Sequence, residues 1–198
     1  MGSGLRLEDY PLTPYSEAIP GRFLFVARLL TDKGIREYVA GARVAKAVNP
    51  ALSFHILGPL DPYNPAGISA EELEDWVAEG VIFYDGVAAD VRPHLARASV
   101  VVLPSYREGC PRVLLEGGAI GRPLLATDVP GCRAVVTDSY NGFLVPSRDA
   151  EALAFVMLKM SMLPTGDLEQ MGLRARTVVE ERFDMRMVNG DYLYVLAH

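Results

Sequence analysis

Apolar runs of strand length alternate with segments of helical period along nearly all of the 198 residues, and this alternation restricts the fold more than any single residue does. The runs lie at 23–27, 53–57, 81–84, 100–103, 124–126 and 143–145; the helical segments lie at 34–48, 70–79, 91–97, 112–120, 150–163, 168–182 and 185–197. A strand that is apolar throughout is buried on both faces, and strands joined through helices run parallel. The pattern predicts an α/β domain with a doubly wound parallel sheet between two helix layers. Such a sheet binds its ligand at the carboxyl ends of its strands. Residues 1–21, with Pro11, Pro14 and Pro20, read as a linker or incoming arm without a core of their own, and 22–198 as one domain.

Composition removes several classes of function. Half of the residues are hydrophobic, enough for one buried core in a chain of this length. A net charge of −6 argues against a nucleic-acid partner, which needs a basic face. The longest apolar stretches are strand-sized and too short for a membrane-spanning helix. Met1-Gly2-Ser3-Gly4 carries neither the basic nor the apolar region of a secretory signal. Two cysteines, Cys110 and Cys132, suit thiols in a reducing compartment better than a disulfide framework. The sequence has no Cys/His cluster at metal spacing and no Asp-X-Asp, so metal-free chemistry is expected.

Glu108 and Glu116 stand directly after the run at 100–103. Pro111 suits a first helical position, where its missing N–H costs nothing, and Glu116 then falls one and a half turns into the helix. At 1.5 Å per residue, a group bound at the helix start lies roughly 7 Å from Glu116 along the axis. That is about the separation of a pyrophosphate from the ribose carrying it, and the helix N–H groups face the phosphates. A second group, Arg28-Leu29-Leu30-Thr31-Asp32-Lys33-Gly34, follows the first run. Thr31 or Asp32 can cap the next helix, which places Arg28 and Lys33 around a spot suited to an anion.

Four ordered blocks, 104–109, 121–123, 127–133 and 141–146, together with the glutamate pair, resemble the donor-binding half of a retaining GT-B glycosyltransferase of family 4. The wording is most similar to bacterial capsule and glycan transferases of the N-acetylgalactosaminyltransferase kind. The resemblance implies a three-layer Rossmann-like sheet, a UDP-sugar donor and no cofactor. It places Glu108 on the transferring sugar as the catalytic carboxylate and Glu116 on the ribose. Arg28 and Lys33 fall on the diphosphate, and Gly109, Cys110, Arg112 and Val113 supply backbone donors. The base falls over the loop at 85–90, against Val87 and Ala88. By the same resemblance the acceptor is lipid-linked or saccharide, and an amino-terminal acceptor domain of the same polypeptide is missing. This domain alone is then inactive as a transferase. The location is cytoplasmic, and the parent protein allows peripheral contact with the inner face of the plasma membrane. The 185–197 segment resembles the carboxyl-terminal helix that crosses back to the missing domain.

Departures from the pattern are Ala134 after Arg133, where members carry a glutamate, and Gly117-Gly118 inside the helix of Glu116. Two glycines cost roughly 2 kcal/mol of helicity relative to alanine, so the helix is either weak or closely packed. His55 reads as a packed strand histidine and His94 as a surface or hinge residue. The first turn lacks the G-x-G-x-x-G of a dinucleotide oxidoreductase. The alternatives kept are a nucleotide-sugar epimerase-like enzyme on the same fold and a non-catalytic nucleotide- or phosphosugar-binding module.

Overall fold

Side chains along each strand point alternately to two separate cores. Phe23, Phe25, Phe54, Ile56, Val100 and Val102 enter one; Leu24, Leu57, Val101, Leu103, Leu124 and Ala126 enter the other. Period-two burial on both faces is what a sheet between two helix layers requires. The computed structural model describes residues 4–186. In chain order its elements are β1 (Arg22–Val26), α1 (Ile35–Val48), β2 (Ser53–Leu57), α2 (Ala70–Ala78), β3 (Phe83–Tyr84), α3 (Arg92–Arg97) and β4 (Val100–Leu103). Then come α4 (Arg112–Ile120), β5 (Leu124–Thr127), α5 (Pro130–Arg133), β6 (Gly142–Val145), α6 (Ala150–Ser161) and α7 (Thr165–Phe183).

The sheet is six-stranded, parallel and ordered β3-β2-β1-β4-β5-β6. Helices α1, α2 and α6 cover the first core, whereas α3, α4 and the later turns of α7 cover the second. This is the expected three-layer Rossmann-like arrangement. Strand order reverses between β1 and β4, so their carboxyl ends open a crevice at the switch point.

Differences from the sequence expectations are local. Only Phe83–Tyr84 of the run at 81–84 pairs with β2, because this is a sheet edge where Phe83 is half exposed. Helix α7 begins at Thr165, ahead of 168, with Pro164 as its N-cap, and α6 ends at Ser161. Helix α5 has four residues, too few for any periodicity to announce it. Of the segment at 185–197, residues 187–197 lie outside the described residues. Gly117-Gly118 resolves to close packing: a Cβ on Gly117 would stand 3.0 Å from Val101 Cγ2, and one on Gly118 2.9 Å from Val179 Cγ2. The glycines let α4 settle between β4 and α7.

The arm at 4–21 has no core of its own, yet it is docked. Leu5, Leu7 and Tyr10 are buried in the second core and Tyr15 in the first. Arg122 holds it there. This guanidinium is fully buried and donates to the carbonyls of Thr13 at 3.0 Å, Pro14 at 3.1 Å and Ala96 at 2.7 Å, against the Tyr15 ring. Burial lowers its pKa from the ordinary arginine value. Carbonyl oxygens, rather than a carboxylate, receive its donors, and a planar five-donor fork can satisfy several of them at once.

Candidate functional site

Two loops leave the switch point. The one after β1 carries Arg28 and then a 3-10 turn, Thr31–Lys33; the one after β4 carries Glu108, Gly109 and Cys110 into α4. Hydrogen bonds tie them together, with the Tyr106 amide donating to the Asp32 carbonyl at 2.8 Å and the Ser105 side chain, through Oγ, to the same oxygen at 3.0 Å. Thr127 Oγ1 donates to the Ser105 carbonyl and fixes the second loop to β5. A cleft of about 250 Å³ results, lined by Arg28, Lys33, Glu108, Arg112, Val113 and Glu116 among others. Residues named from sequence thus converge from β1, β4 and α4.

The turn at Thr31–Lys33 corrects the capping expectation. Neither Thr31 nor Asp32 caps α1; the N-cap is Gly34, in the left-handed region at φ 74°. The 3-10 turn spends Thr31 and Asp32 before the helix starts, so their side chains lie too early to reach its first amides. Thr31 Oγ1 instead accepts from Arg36 at 2.8 Å. A similar one-residue shift applies to α4, where Pro111 is the N-cap and Arg112 the first helical residue. The amides of Arg112 and Val113 therefore fall in the first turn, whose N–H groups have no intrahelical acceptor. No side chain caps α4 and no acidic residue stands in its first turn, so its positive end is available to an anion.

Within the cleft, Lys33 Nζ donates to Glu108 Oε1 at 2.7 Å, with the two side chains largely sheltered at 24 % and 11 % exposure. Arg28 is 59 % exposed and pairs with Asp61 at 3.2 Å. Glu116 is buried and accepts two bonds on Oε1, from Tyr10 Oη at 2.7 Å and Arg112 Nε at 2.8 Å. The carboxylate raises the Arg112 pKa further above its ordinary value. Glu108 is placed by an unannounced contact with α5: a Cβ on Gly131 would lie 2.3 Å from the Glu108 carbonyl oxygen, so the loop and helix touch only because residue 131 is glycine.

A larger hollow of about 680 Å³ adjoins the cleft and shares Arg112 and Glu116 with it. Its other walls include Tyr10, Ala89, Asp90, Val91 and Arg92. Val87 is 66 % exposed and Ala88 packs against the second core, and neither lines the hollow. Next to that loop, Asp85 receives Arg22 Nη2 at 2.7 Å, contacts His55 Nδ1 at 3.0 Å, and lies 3.5 Å from His94 Nδ1. His55 is a packed strand histidine, stacked on Phe83; His94 faces Asp85 rather than open solvent. Burial lowers the His55 pKa, while it raises that of Cys132 to about 12, which keeps that thiol protonated. Among the described residues no group of His, Cys, Asp or Glu could hold a metal ion, and no helix is long and apolar enough to cross a membrane.

Sequence reasoning missed Tyr10, the side chain of Arg112 and the Asp85 cluster. Tyr10 lies 106 positions from Glu116 in a proline-rich arm, and no spacing rule links the two. Arg112 is four residues before Glu116, a helical ion-pair spacing that could have marked it.

The family model described as glycosyl transferases group 1 matches residues 20–161. A putative colanic acid biosynthesis glycosyltransferase of Escherichia coli is 31 % identical over 187 residues, covering 90 % of this chain and 45 % of the relative. The N,N'-diacetylbacillosaminyl-diphospho-undecaprenol alpha-1,3-N-acetylgalactosaminyltransferase of Campylobacter jejuni is 31 % identical over 131 residues, covering 66 % of this chain and 33 % of the relative. The chain spans less than half the length of these curated relatives. Among solved structures, sucrose-phosphate synthase of Thermosynechococcus elongatus superposes with a TM-score of 0.81 at 25 % identity, over 98 % of this chain and 51 % of that one. Anabaena HepE in complex with UDP superposes with a TM-score of 0.84 at 20 % identity, over 98 % and 56 % of the two chains. The architecture is accordingly a GT-B-like Rossmann fold. With its family model matched across both motif loops and all six strands, this chain belongs to the glycosyl transferases group 1 family.

Proposed function

We propose that this chain is the nucleotide-sugar-binding half of a retaining family 4 glycosyltransferase acting in bacterial capsule, lipopolysaccharide or glycan synthesis, with a UDP-sugar as donor. The observation that carries the reading is the cleft at the β1/β4 switch point, where Arg28, Lys33, Glu108, Arg112 and Glu116 line one cavity at the uncapped start of α4. Its charge pattern suits a diphosphate flanked by two hydroxyl-rich groups. The amides of Gly109, Cys110, Arg112 and Val113 are assigned to the phosphates, Glu116 to the ribose and Glu108 to the transferring sugar. The base is assigned to the loop at 85–90, with Val87 and Ala88 as its backbone contacts.

In this reading the bond between the anomeric carbon and the β-phosphate oxygen breaks while the acceptor oxygen bonds to the same face. The acceptor proton passes to the leaving phosphate. Arg28 and Lys33 neutralise the charge that develops on that phosphate, the task a metal ion performs elsewhere, and no metal or cofactor is invoked. The acceptor, lipid-linked or saccharide, belongs to an amino-terminal domain facing the cleft. Positioning by such a cleft supplies roughly 7–11 kcal/mol of a barrier, so this half alone binds donor without transferring it. The reading places the protein in the cytoplasm, against the inner face of the plasma membrane through its parent.

Titration calorimetry of the chain with UDP and with NAD tests it. UDP is expected to bind and NAD to give no heat of binding; tighter binding of NAD would overturn the assignment.

A further inference from the structure

We infer that Tyr10, on the incoming arm, is a positioning residue for Glu116 and thereby sets the preference of the site for a ribonucleotide over a deoxyribonucleotide. This deepens the nucleotide-sugar reading and rests on its assignment of Glu116 to the ribose.

Glu116 projects from α4 at the boundary of the cleft and the larger hollow. A buried carboxylate has about four lone-pair sites to satisfy. Tyr10 Oη at 2.7 Å and Arg112 Nε at 2.8 Å both end on Oε1 and occupy that oxygen. Neither bond uses Oε2, and two donors on one oxygen fix the plane of the carboxylate. A carboxylate held in one rotamer, with one oxygen committed to protein, presents the other to a vicinal diol at little further cost in entropy.

The arm is built to hold this contact. The Tyr10 ring is buried in the second core, and Arg176 Nη1 donates at 2.6 Å both to the Tyr10 carbonyl and to the Ala119 carbonyl of α4. One guanidinium therefore fastens the backbone of Tyr10 to the helix that carries Glu116. Burial and the adjacent Glu116 raise the pKa of the Tyr10 hydroxyl above its ordinary value, which keeps it a donor. Arg112, by contrast, is 74 % exposed at its side chain, and its contribution is screened by solvent. Tyr10 is the sheltered partner of the two.

The test is calorimetry with UDP and 2′-deoxy-UDP on the chain and on Tyr10→Phe, Glu116→Gln and the double variant, with thermal melts to follow folding. Tyr10→Phe is expected to cut the preference for UDP by roughly five- to tenfold and to cut it no further in the Glu116→Gln background. If Glu116→Gln loses the preference while Tyr10→Phe keeps it, the role of Tyr10 is overturned and the ribose reading stands. Equal losses from Tyr10→Phe in both backgrounds also overturn it, because the effect then runs through the fold. If Glu116→Gln itself keeps the preference, the ribose reading falls and takes this inference with it. A 3-fluorotyrosine at position 10 gives an independent readout in an otherwise unaltered chain. Its fluorine resonance is expected to move more with UDP than with 2′-deoxy-UDP, and equal movement would overturn the proposal.

Discussion

Lys33 and Glu108, 75 positions apart in sequence, are joined across the cleft by a 2.7 Å charge-assisted hydrogen bond. The proposed function gives them different ligands, the diphosphate and the sugar, so the two side chains compete with the donor for one another. Glu108→Gln removes the charge that competes with phosphate for Lys33. UDP is then expected to bind about two- to fivefold more tightly, the worth of a partly solvated pair, while turnover of a transferase containing both halves falls. Calorimetry on the variant checks the first part, and a weaker UDP complex would contradict it.

Gly131 lets α5 touch the Glu108 loop. Gly131→Ala would drive a Cβ into the Glu108 and Gly109 carbonyls, and the loop must shift to admit it. A loss of roughly 1–3 kcal/mol in stability is expected, with UDP-sugar weakened more than UDP if Glu108 contacts the sugar as proposed, because that carboxylate moves with its loop. Urea unfolding and paired calorimetry measure the two effects.

Arg122, in the turn between α4 and β5, bridges the arm and α3 through their carbonyls. Arg122→Met fills similar volume but strands these acceptors in the interior, which costs about 2–4 kcal/mol. The urea midpoint should fall accordingly, and protease cleavage should appear first within the arm.

His55 predicts a pH dependence of stability. Burial lowers its folded pKa, and the charged groups acting on it are Asp85, Arg22 and Arg97, with His94 in contact with the same Asp85. The unfolded chain protonates His55 first as pH falls, so its stabilising contribution is complete above about pH 6.5 and is lost as pH drops toward the depressed folded value. The melting temperature of wild type should fall more steeply between roughly pH 7 and 5 than that of His55→Gln. Parallel curves would contradict this.

Much of the fold was legible because parallel strands buried on both faces leave unbroken apolar runs. The bounds of β2, β4 and α4 agree with the sequence reading to the residue. What escaped it has physical causes: α5 spans barely one turn, so no period recurs in it, β3 is an edge, and a 3-10 turn displaced the cap of α1. The residues facing the cleft were legible because short loops at strand ends must meet at the switch point. Their pairing was not, since Lys33 with Glu108 and Tyr10 with Glu116 are tertiary contacts with no spacing to betray them.

In the proposed function, Arg28 and Lys33 hold a diphosphate at the start of α4. Titration of UDP into the chain and into the Arg28→Ala/Lys33→Ala double variant tests it most directly. Two charge-assisted contacts, discounted for the exposure of Arg28, predict a loss of about 3 kcal/mol, or roughly a hundredfold in Kd. An unchanged Kd in a variant that melts like wild type would contradict it.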